Sequence, residues 1–168
     1  TIKTLSSYGD IMVLRHPTKD IVQEAQTYSD IPIINAGDGD NEHPTQALLD
    51  LYTISKSFND DLLSVTNILF VGDCKRSRTI HSLLKLLYLY PHICVHFLPY
   101  IGCEPNSDTI KTITTKQNYP PIVLNKNDNI PFNIFDVVYC TRLQKERDYT
   151  SLNIHKQADI ILDNSFLS

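Results

Sequence analysis

Short apolar runs alternate with amphipathic stretches along most of the chain, a pattern that predicts strands alternating with helices. The predicted strands are residues 10–17, 31–35, 65–73, 93–98, 122–124, 135–141 and 159–163. The predicted helices are residues 1–8, 21–28, 79–89 and 108–117, with a further helix that begins at residue 44. Strands that are apolar on both faces and alternate with helices indicate an α/β fold, with parallel sheets covered by helices.

A polar segment at residues 56–63 interrupts this pattern and predicts a domain boundary. We expect residues 1–57 to form the later part of one domain together with a connecting helix. Residues 58–168 are then expected to form part of a second domain. We expect both domains to be incomplete, because the pattern begins within a helix and stops soon after a strand.

Residues 37–54 contain the most informative stretch, a glycine-rich turn followed by a helix. Pro44 suits the first helical position, which places His43 at the N-cap and Gln46 in the first turn. Free N–H groups and the helix dipole favour an anion or a polarised oxygen there. The alternative is that both side chains simply cap the helix. The helix is apolar on nearly every side, which predicts burial all round; the residues are Ala47, Leu48, Leu49, Leu51, Tyr52 and Ile54.

Composition narrows the class of protein. The chain is 42% hydrophobic and 20% charged, and its net charge of −4 argues against nucleic acid as a partner. It has no run long enough to span a membrane and no signal-peptide pattern, so we expect a cytoplasmic protein. The four cysteines form no C-x-x-C pair, so neither a metal site nor a disulfide framework is predicted.

The five arginines lie at or just past the ends of predicted strands, where open α/β sheets bind ligands; they are Arg15, Arg76, Arg78, Arg142 and Arg147. Arginine suits carboxylate and phosphate. Arg15 could instead form an ordinary surface ion pair. Arg78 lies at a helix N-terminus, where a cation opposes the dipole unless an anionic ligand is bound. Arg142 and Gln144 point the same way along an extended segment and together could take a carboxylate.

Four segments resemble the catalytic chain of the aspartate carbamoyltransferases. They are Arg-His-Pro at 15–17, Gly-Asp-Gly-x-Asn-x-His-Pro-Thr-Gln-x-Leu-Leu-Asp-Leu-Tyr-Thr-Ile at 37–54, Val-Gly-Asp-x-Lys-x-x-Arg-Thr-x-His-Ser-Leu at 71–83 and Thr-Arg-x-Gln-Lys-Glu-Arg at 141–147. The His-Pro-x-Gln element is shared with ornithine carbamoyltransferases, whereas the last two segments are typical of the aspartate enzymes. The resemblance runs from end to end of the chain.

This resemblance implies a two-domain fold and carbamoyl transfer from carbamoyl phosphate to L-aspartate in pyrimidine biosynthesis, without a metal or cofactor. It implies that Arg15 and His43 contact the carbamoyl phosphate and stabilise the oxyanion, and that Gln46 holds the carbamoyl nitrogen. It implies that Arg78 binds the α-carboxylate of aspartate, and that Arg142 and Gln144 bind its side-chain carboxylate. Members of the family work as homotrimers with shared active sites.

The sequence also departs from the family. It lacks the Ser-Thr-Arg-Thr phosphate loop, the lysine loop lent by a neighbouring subunit and the His-Pro-Leu-Pro loop. We therefore expect a truncated piece that is inactive alone. Arg76 and Ser77 replace an aromatic residue and a glycine, which bears on how Arg78 is presented. Two alternatives stay open: a non-catalytic binding or regulatory fragment of the same fold, and an ornithine-type enzyme, although Arg142 would repel the extra cation of ornithine.

Overall fold

Two parallel sheets joined by a long helix form the chain in a computed structural model, which describes residues 1–126 and 128–144. The helices are α1 (Ile2–Ser6), α2 (Ile21–Tyr28), α3 (Pro44–Ser57), α4 (Arg78–Leu87) and α5 (Ser107–Lys116). The strands are β1 (Met12–His16), β2 (Ile33–Asp38), β3 (Asn67–Gly72), β4 (Cys94–Pro99), β5 (Ile122–Val123) and β6 (Val137–Cys140). The α/β prediction is confirmed, and element ends differ by a few residues. The strand predicted at 159–163 lies outside the described residues.

The first sheet pairs β1 with β2 in parallel, with Met12 opposite Ile33 and Leu14 opposite Asn35. Helix α2 crosses between these strands, as a parallel pair requires, and buries Val22 and Ala25. The short sheet thus brings the C-terminal end of β1 beside the glycine-rich turn that follows β2.

The second sheet has the order β5-β4-β3-β6, and all of its pairings are parallel. β3 lies in the interior of this sheet and is almost continuously buried, as expected for a strand covered on both faces. Phe70 of β3 stacks on Phe97 of β4 with ring centroids 5.7 Å apart. Helix α4 closes this core with completely buried side chains such as Ile80 and Leu83.

Helix α3 is buried on one side only, which corrects the prediction that it is buried all round. Ala47 and Ile54 face the core and α4. Leu48, Leu49 and Tyr52 are 57%, 60% and 61% exposed. The prediction was wrong because apolar composition shows which surface favours burial, but not which partner is present to cover it. Among the described residues, α4 and the second sheet cover only the inner side.

The passage between the two sheets is short. Helix α3 ends at Ser57, and a turn with positive φ at Asn59 and Asp60 leads through a 3₁₀ turn at Leu62–Ser64 to β3. A division into domains at residue 57 stays a prediction. In the ranges that the structure describes, no helix is both long and apolar enough to cross a bilayer.

Candidate active site

A cleft of about 490 Å³ lies where the C-terminal ends of β1 and β6 face the start of α4. It is lined by five of the six predicted site residues, namely Arg15, His43, Arg78, Arg142 and Gln144. A second, larger cleft of about 1020 Å³ shares Arg15 and Arg78 with it. Residues from four segments, up to 129 positions apart in the sequence, therefore meet in one place. Three guanidinium groups in one cleft favour an anionic ligand.

Arg15 and His43 contact each other directly. Nη1 of Arg15 lies 3.1 Å from Nε2 of His43 and 3.3 Å from the carbonyl oxygen of Ala36. Because arginine can only donate, Nε2 of His43 accepts this bond, which leaves the proton of a neutral ring on Nδ1. Nδ1 in turn lies 3.3 Å from the Thr45 hydroxyl.

His43 occupies the N-cap of α3, but its side chain makes no capping hydrogen bond. Its backbone N–H donates to Ser82 Oγ at 3.0 Å. Partial burial, and then the charges of Arg78 and Arg15, hold the pKa of His43 below its ordinary value. His43 is therefore a neutral ring turned toward the cleft, and the alternative that it merely caps the helix does not fit this geometry.

Gly37 lies between these groups, and its backbone conformation favours glycine. Its φ is +117°, and a Cβ there would lie 3.5 Å from a guanidinium nitrogen of Arg15, 3.5 Å from one of Arg78 and 3.7 Å from the His43 ring. An L-residue is strained in this region of φ. The backbone of Gly37 thus forms the floor between the two arginines and the histidine.

Arg78 is the first residue of α4 and donates to the carbonyl oxygen of Gly39, at the turn after β2. This bond offsets part of the cost of a cation at a helix N-terminus. Ser77 is the N-cap; its hydroxyl lies 3.0 Å from that of Thr79 and 3.2 Å from that of Thr141. Ser77 therefore connects the Arg78 segment to the segment that carries Arg142.

Arg142 and Gln144 follow β6. The backbone N–H of Gln144 donates to Oδ2 of Asp73 at 3.1 Å, and Asp73 is completely buried. Arg142 is exposed, and its Nη1 donates to the carbonyl oxygen of Leu143 at 3.1 Å. Asp73 also accepts a hydrogen bond from the Arg76 backbone N–H at 3.0 Å and forms an ion pair with its guanidinium at 3.5 Å. The buried carboxylate thus fixes the backbone that presents Gln144 to the cleft.

Gln46 is the predicted site residue that does not line the cleft. Its Nε2 donates to Oδ1 of Asp50 at 2.9 Å, and Oδ2 of Asp50 accepts from the Tyr139 hydroxyl at 2.9 Å. Sequence reasoning missed Asp50 and Tyr139. The four-residue spacing from Gln46 to Asp50 on a helix was an available signal for the first contact, whereas nothing local marked Tyr139.

The four cysteines show no feature of a reactive thiol or, among the described residues, of a metal cluster. Cys140 lines the cleft, and burial raises the pKa of its thiol, which disfavours the reactive thiolate. Burial also raises the pKa of Cys74 and that of Cys103. Over residues 1–126 and 128–144, no group of three His, Cys, Asp or Glu side chains is placed to hold a metal ion.

Comparison with known proteins gives consistent matches. Residues 1–56 match the family model described as aspartate/ornithine carbamoyltransferase, carbamoyl-P binding domain. The aspartate carbamoyltransferase catalytic subunit of Methanocaldococcus jannaschii is 43% identical over 147 residues, which are 88% of this chain and 47% of that protein. The chain spans about half the length of the curated catalytic subunits it matches.

Solved structures of aspartate transcarbamoylases are also similar to this chain. The catalytic subunit of M. jannaschii aspartate transcarbamoylase superposes with a TM-score of 0.77 at 41% identity, covering 89% of this chain and 48% of that one. The Trypanosoma cruzi aspartate transcarbamoylase in complex with N-(phosphonacetyl)-L-aspartic acid gives 0.75 at 35% identity, covering 99% of this chain and 53% of that one.

Proposed function

Because this chain belongs to the catalytic-chain family of the aspartate carbamoyltransferases, we propose that it serves the transfer of a carbamoyl group from carbamoyl phosphate to the amino group of L-aspartate. The products are N-carbamoyl-L-aspartate and phosphate, in pyrimidine biosynthesis. The observation that carries the proposal is the convergence of three arginines and a neutral histidine on one cleft. Two anionic substrates need such a site to be held together despite their mutual repulsion.

Carbamoyl phosphate is proposed to bind beside Arg15 and His43. Its carbonyl oxygen would enter between the two side chains and replace their mutual hydrogen bond. The Arg15 guanidinium then donates to that oxygen, and His43 donates from Nε2 once its proton has moved from Nδ1. Both donors stabilise the negative charge that develops on the oxygen in the tetrahedral transition state. Gln46 is proposed to accept a hydrogen bond from the carbamoyl nitrogen.

Aspartate is proposed to bind at the opposite side of the cleft. Arg78 takes the α-carboxylate, and Arg142 with Gln144 takes the side-chain carboxylate. Asp73 supports this side because it holds the Gln144 backbone. The two carboxylates are then fixed while the amino group faces the carbonyl carbon, and the orientation itself lowers the barrier. A cationic substrate such as ornithine would be disfavoured at Arg142.

The assembly and compartment are also proposals. We propose that the chain acts in the cytoplasm. The family resemblance implies a homotrimer, which we do not expect this chain to form as an active assembly by itself. The four cysteines are free in the structure, which suits a reducing compartment. We further propose that the present chain does not turn over by itself.

Calorimetric titration with N-(phosphonacetyl)-L-aspartate tests the site without requiring turnover. We expect Arg142→Ala to weaken binding by about 1.5–3 kcal/mol, the worth of hydrogen bonds to a charged group. Lys111→Ala, which removes an exposed cation from α5, is the matched control and should bind normally. The N-(phosphonacetyl)-L-ornithine counterpart should bind more weakly than the aspartate compound.

Equal binding of the two compounds would contradict the aspartate assignment, and an unaffected Arg142→Ala variant would contradict the role of Arg142. A carbamoyl-transfer assay with aspartate and ornithine completes the test. Ligand binding without turnover would support a site that needs further parts to catalyse.

A further inference from the structure

Asp50 is the meeting point of a hydrogen-bond network that joins helix α3 to the second sheet. It lies one helical turn after Gln46 on α3, and each of its carboxylate oxygens accepts one hydrogen bond. Gln46 Nε2 donates to Oδ1 and the Tyr139 hydroxyl donates to Oδ2, both at 2.9 Å. All three side chains are half-buried. Because Tyr139 belongs to β6, these hydrogen bonds connect the start of α3 with the strand that leads to Arg142.

The chemistry of Asp50 decides which way the Gln46 amide is turned. An ionised carboxylate can only accept hydrogen bonds, so Gln46 must direct its NH₂ group toward Asp50. Its carbonyl oxygen Oε1 is then left to accept a hydrogen bond from another donor. With a neutral or absent partner at position 50, the amide could rotate and present NH₂ instead. The orientation therefore follows from the donor and acceptor inventory of the pair.

Tyr139 keeps Asp50 in this arrangement. Burial, with a contribution from Asp50, raises the pKa of Tyr139 to about 12, so the hydroxyl remains a donor through the physiological range. The Thr79 side chain partly offsets this rise in the pKa of Tyr139. The Tyr139 ring packs against Phe70 with centroids 5.5 Å apart. The donor to Asp50 is thus itself fixed in place.

We propose that Asp50, held by Tyr139, is a positioning residue that orients the Gln46 amide so that Oε1 accepts from the amino group of carbamoyl phosphate. The inference rests on the proposed function for its ligand. The carbamoyl nitrogen carries two N–H groups and acts as a donor, so an acceptor opposite it is complementary. A rotated Gln46 would set donor against donor, which disfavours the same ligand.

The first test needs no ligand. In the ¹⁵N-labelled chain, the side-chain NH₂ signal of Gln46 is assigned by its loss in Gln46→Glu. We expect Asp50→Asn to move this signal and to speed its exchange with water, and Tyr139→Phe to move it less. Asp60→Asn is the matched control, because Asp60 pairs with Lys56 at the exposed end of the same helix. An unchanged Gln46 signal in Asp50→Asn would overturn the proposal.

The second test compares two ligands of equal charge and similar shape. Phosphonoacetamide keeps the amino group of carbamoyl phosphate, and acetonylphosphonate carries a methyl group in its place. We expect Asp50→Asn to reduce the affinity ratio of the first to the second about fivefold, which is the worth of one hydrogen bond. An unchanged ratio would give Asp50 a merely structural role and overturn the proposal.

A double substitution that conserves charge makes the comparison of the two ligands more specific. In the double variant Gln46→Glu with Asp50→Asn, the new asparagine donates to the new glutamate, whose second oxygen again faces the ligand as an acceptor. We expect the affinity ratio to return to within about twofold of the original. No recovery in a folded double variant would count against the orientation argument. Failure of both ligands to bind the unmodified chain would contradict the proposed function, and the ligand-free experiment would still decide the role of Asp50.

Discussion

Gly72 is the position where a single added methyl group is expected to disturb most the side of the cleft that is proposed for aspartate. It ends β3 with a φ of +113°, and a Cβ there would lie 2.1 Å from the carbonyl oxygen of Thr141. Real Cβ atoms do not approach backbone oxygens so closely, so Gly72→Ala must push the two strand ends apart. Gly102 provides a matched control, because its φ is +78° and nothing lies within 4 Å of its added Cβ.

The two substitutions share the cost of a positive φ and differ in the clash. The shared backbone strain is about 1–2 kcal/mol. Gly72→Ala should in addition break the 2.9 Å hydrogen bond from the Thr141 N–H to the Val71 carbonyl, worth about 1 kcal/mol. We therefore expect a loss in free energy of unfolding of about 2–3 kcal/mol for Gly72→Ala, and of about 1–2 kcal/mol for Gly102→Ala.

Urea unfolding followed by circular dichroism measures both values, and calorimetry with N-(phosphonacetyl)-L-aspartate measures the site. Because Thr141 directly precedes Arg142, only Gly72→Ala should also weaken this ligand. Equal destabilisation by the two variants, together with unchanged ligand binding by Gly72→Ala, would refute the reasoning from the close approach.

Three further predictions follow from the same structure. Arg15→Met removes a cation that lowers the pKa of His43, so the NMR-detected pKa of His43 should rise, while that of His96, lowered by burial alone, should not move. Phe70→Ala should cost about 3–5 kcal/mol in urea unfolding, because its ring is completely buried, whereas Tyr52→Ala should cost less than about 1 kcal/mol. Light scattering and a carbamoyl-transfer assay should find that the chain alone forms no active trimer; a trimer with measurable turnover would contradict this.

The arginine positions were predictable because they follow a general rule of parallel sheets. Ligands bind at the carboxyl ends of strands, and apolar runs locate those ends without knowledge of the tertiary structure. Arg15 and Arg142 follow from this rule alone, and their meeting in one cleft agrees with it. The glycine-rich turn was equally predictable from the sequence, and Gly37 and Gly39 both adopt positive φ.

Two features were not predictable from the sequence. The contact between Asp50 and Tyr139 spans 89 positions, and neither residue carries a local signal for the other. The exposure of Leu48, Leu49 and Tyr52 depends on which elements pack against α3, which helical periodicity does not specify. In both cases the missing information is the identity of a distant partner.

The segment from Gly39 to Asp50 explains how the side chains of a cleft between two sheets keep their relative positions. Hydrogen bonds tie this segment to the second half of the described chain: the Gly39 carbonyl accepts from Arg78, Glu42 accepts from Ser82 and Lys85, and Asp50 accepts from Tyr139. The His43 N–H also donates to Ser82 Oγ. Apart from this last bond, the segment supplies the acceptors and the second half supplies the donors. Since this segment also carries His43 and Gln46, the groups proposed for carbamoyl phosphate are tied directly to α4 and β6, which lead to the groups proposed for aspartate. A displacement of either half would therefore change the relative position of the two proposed substrates, on which the proposed catalysis by orientation depends.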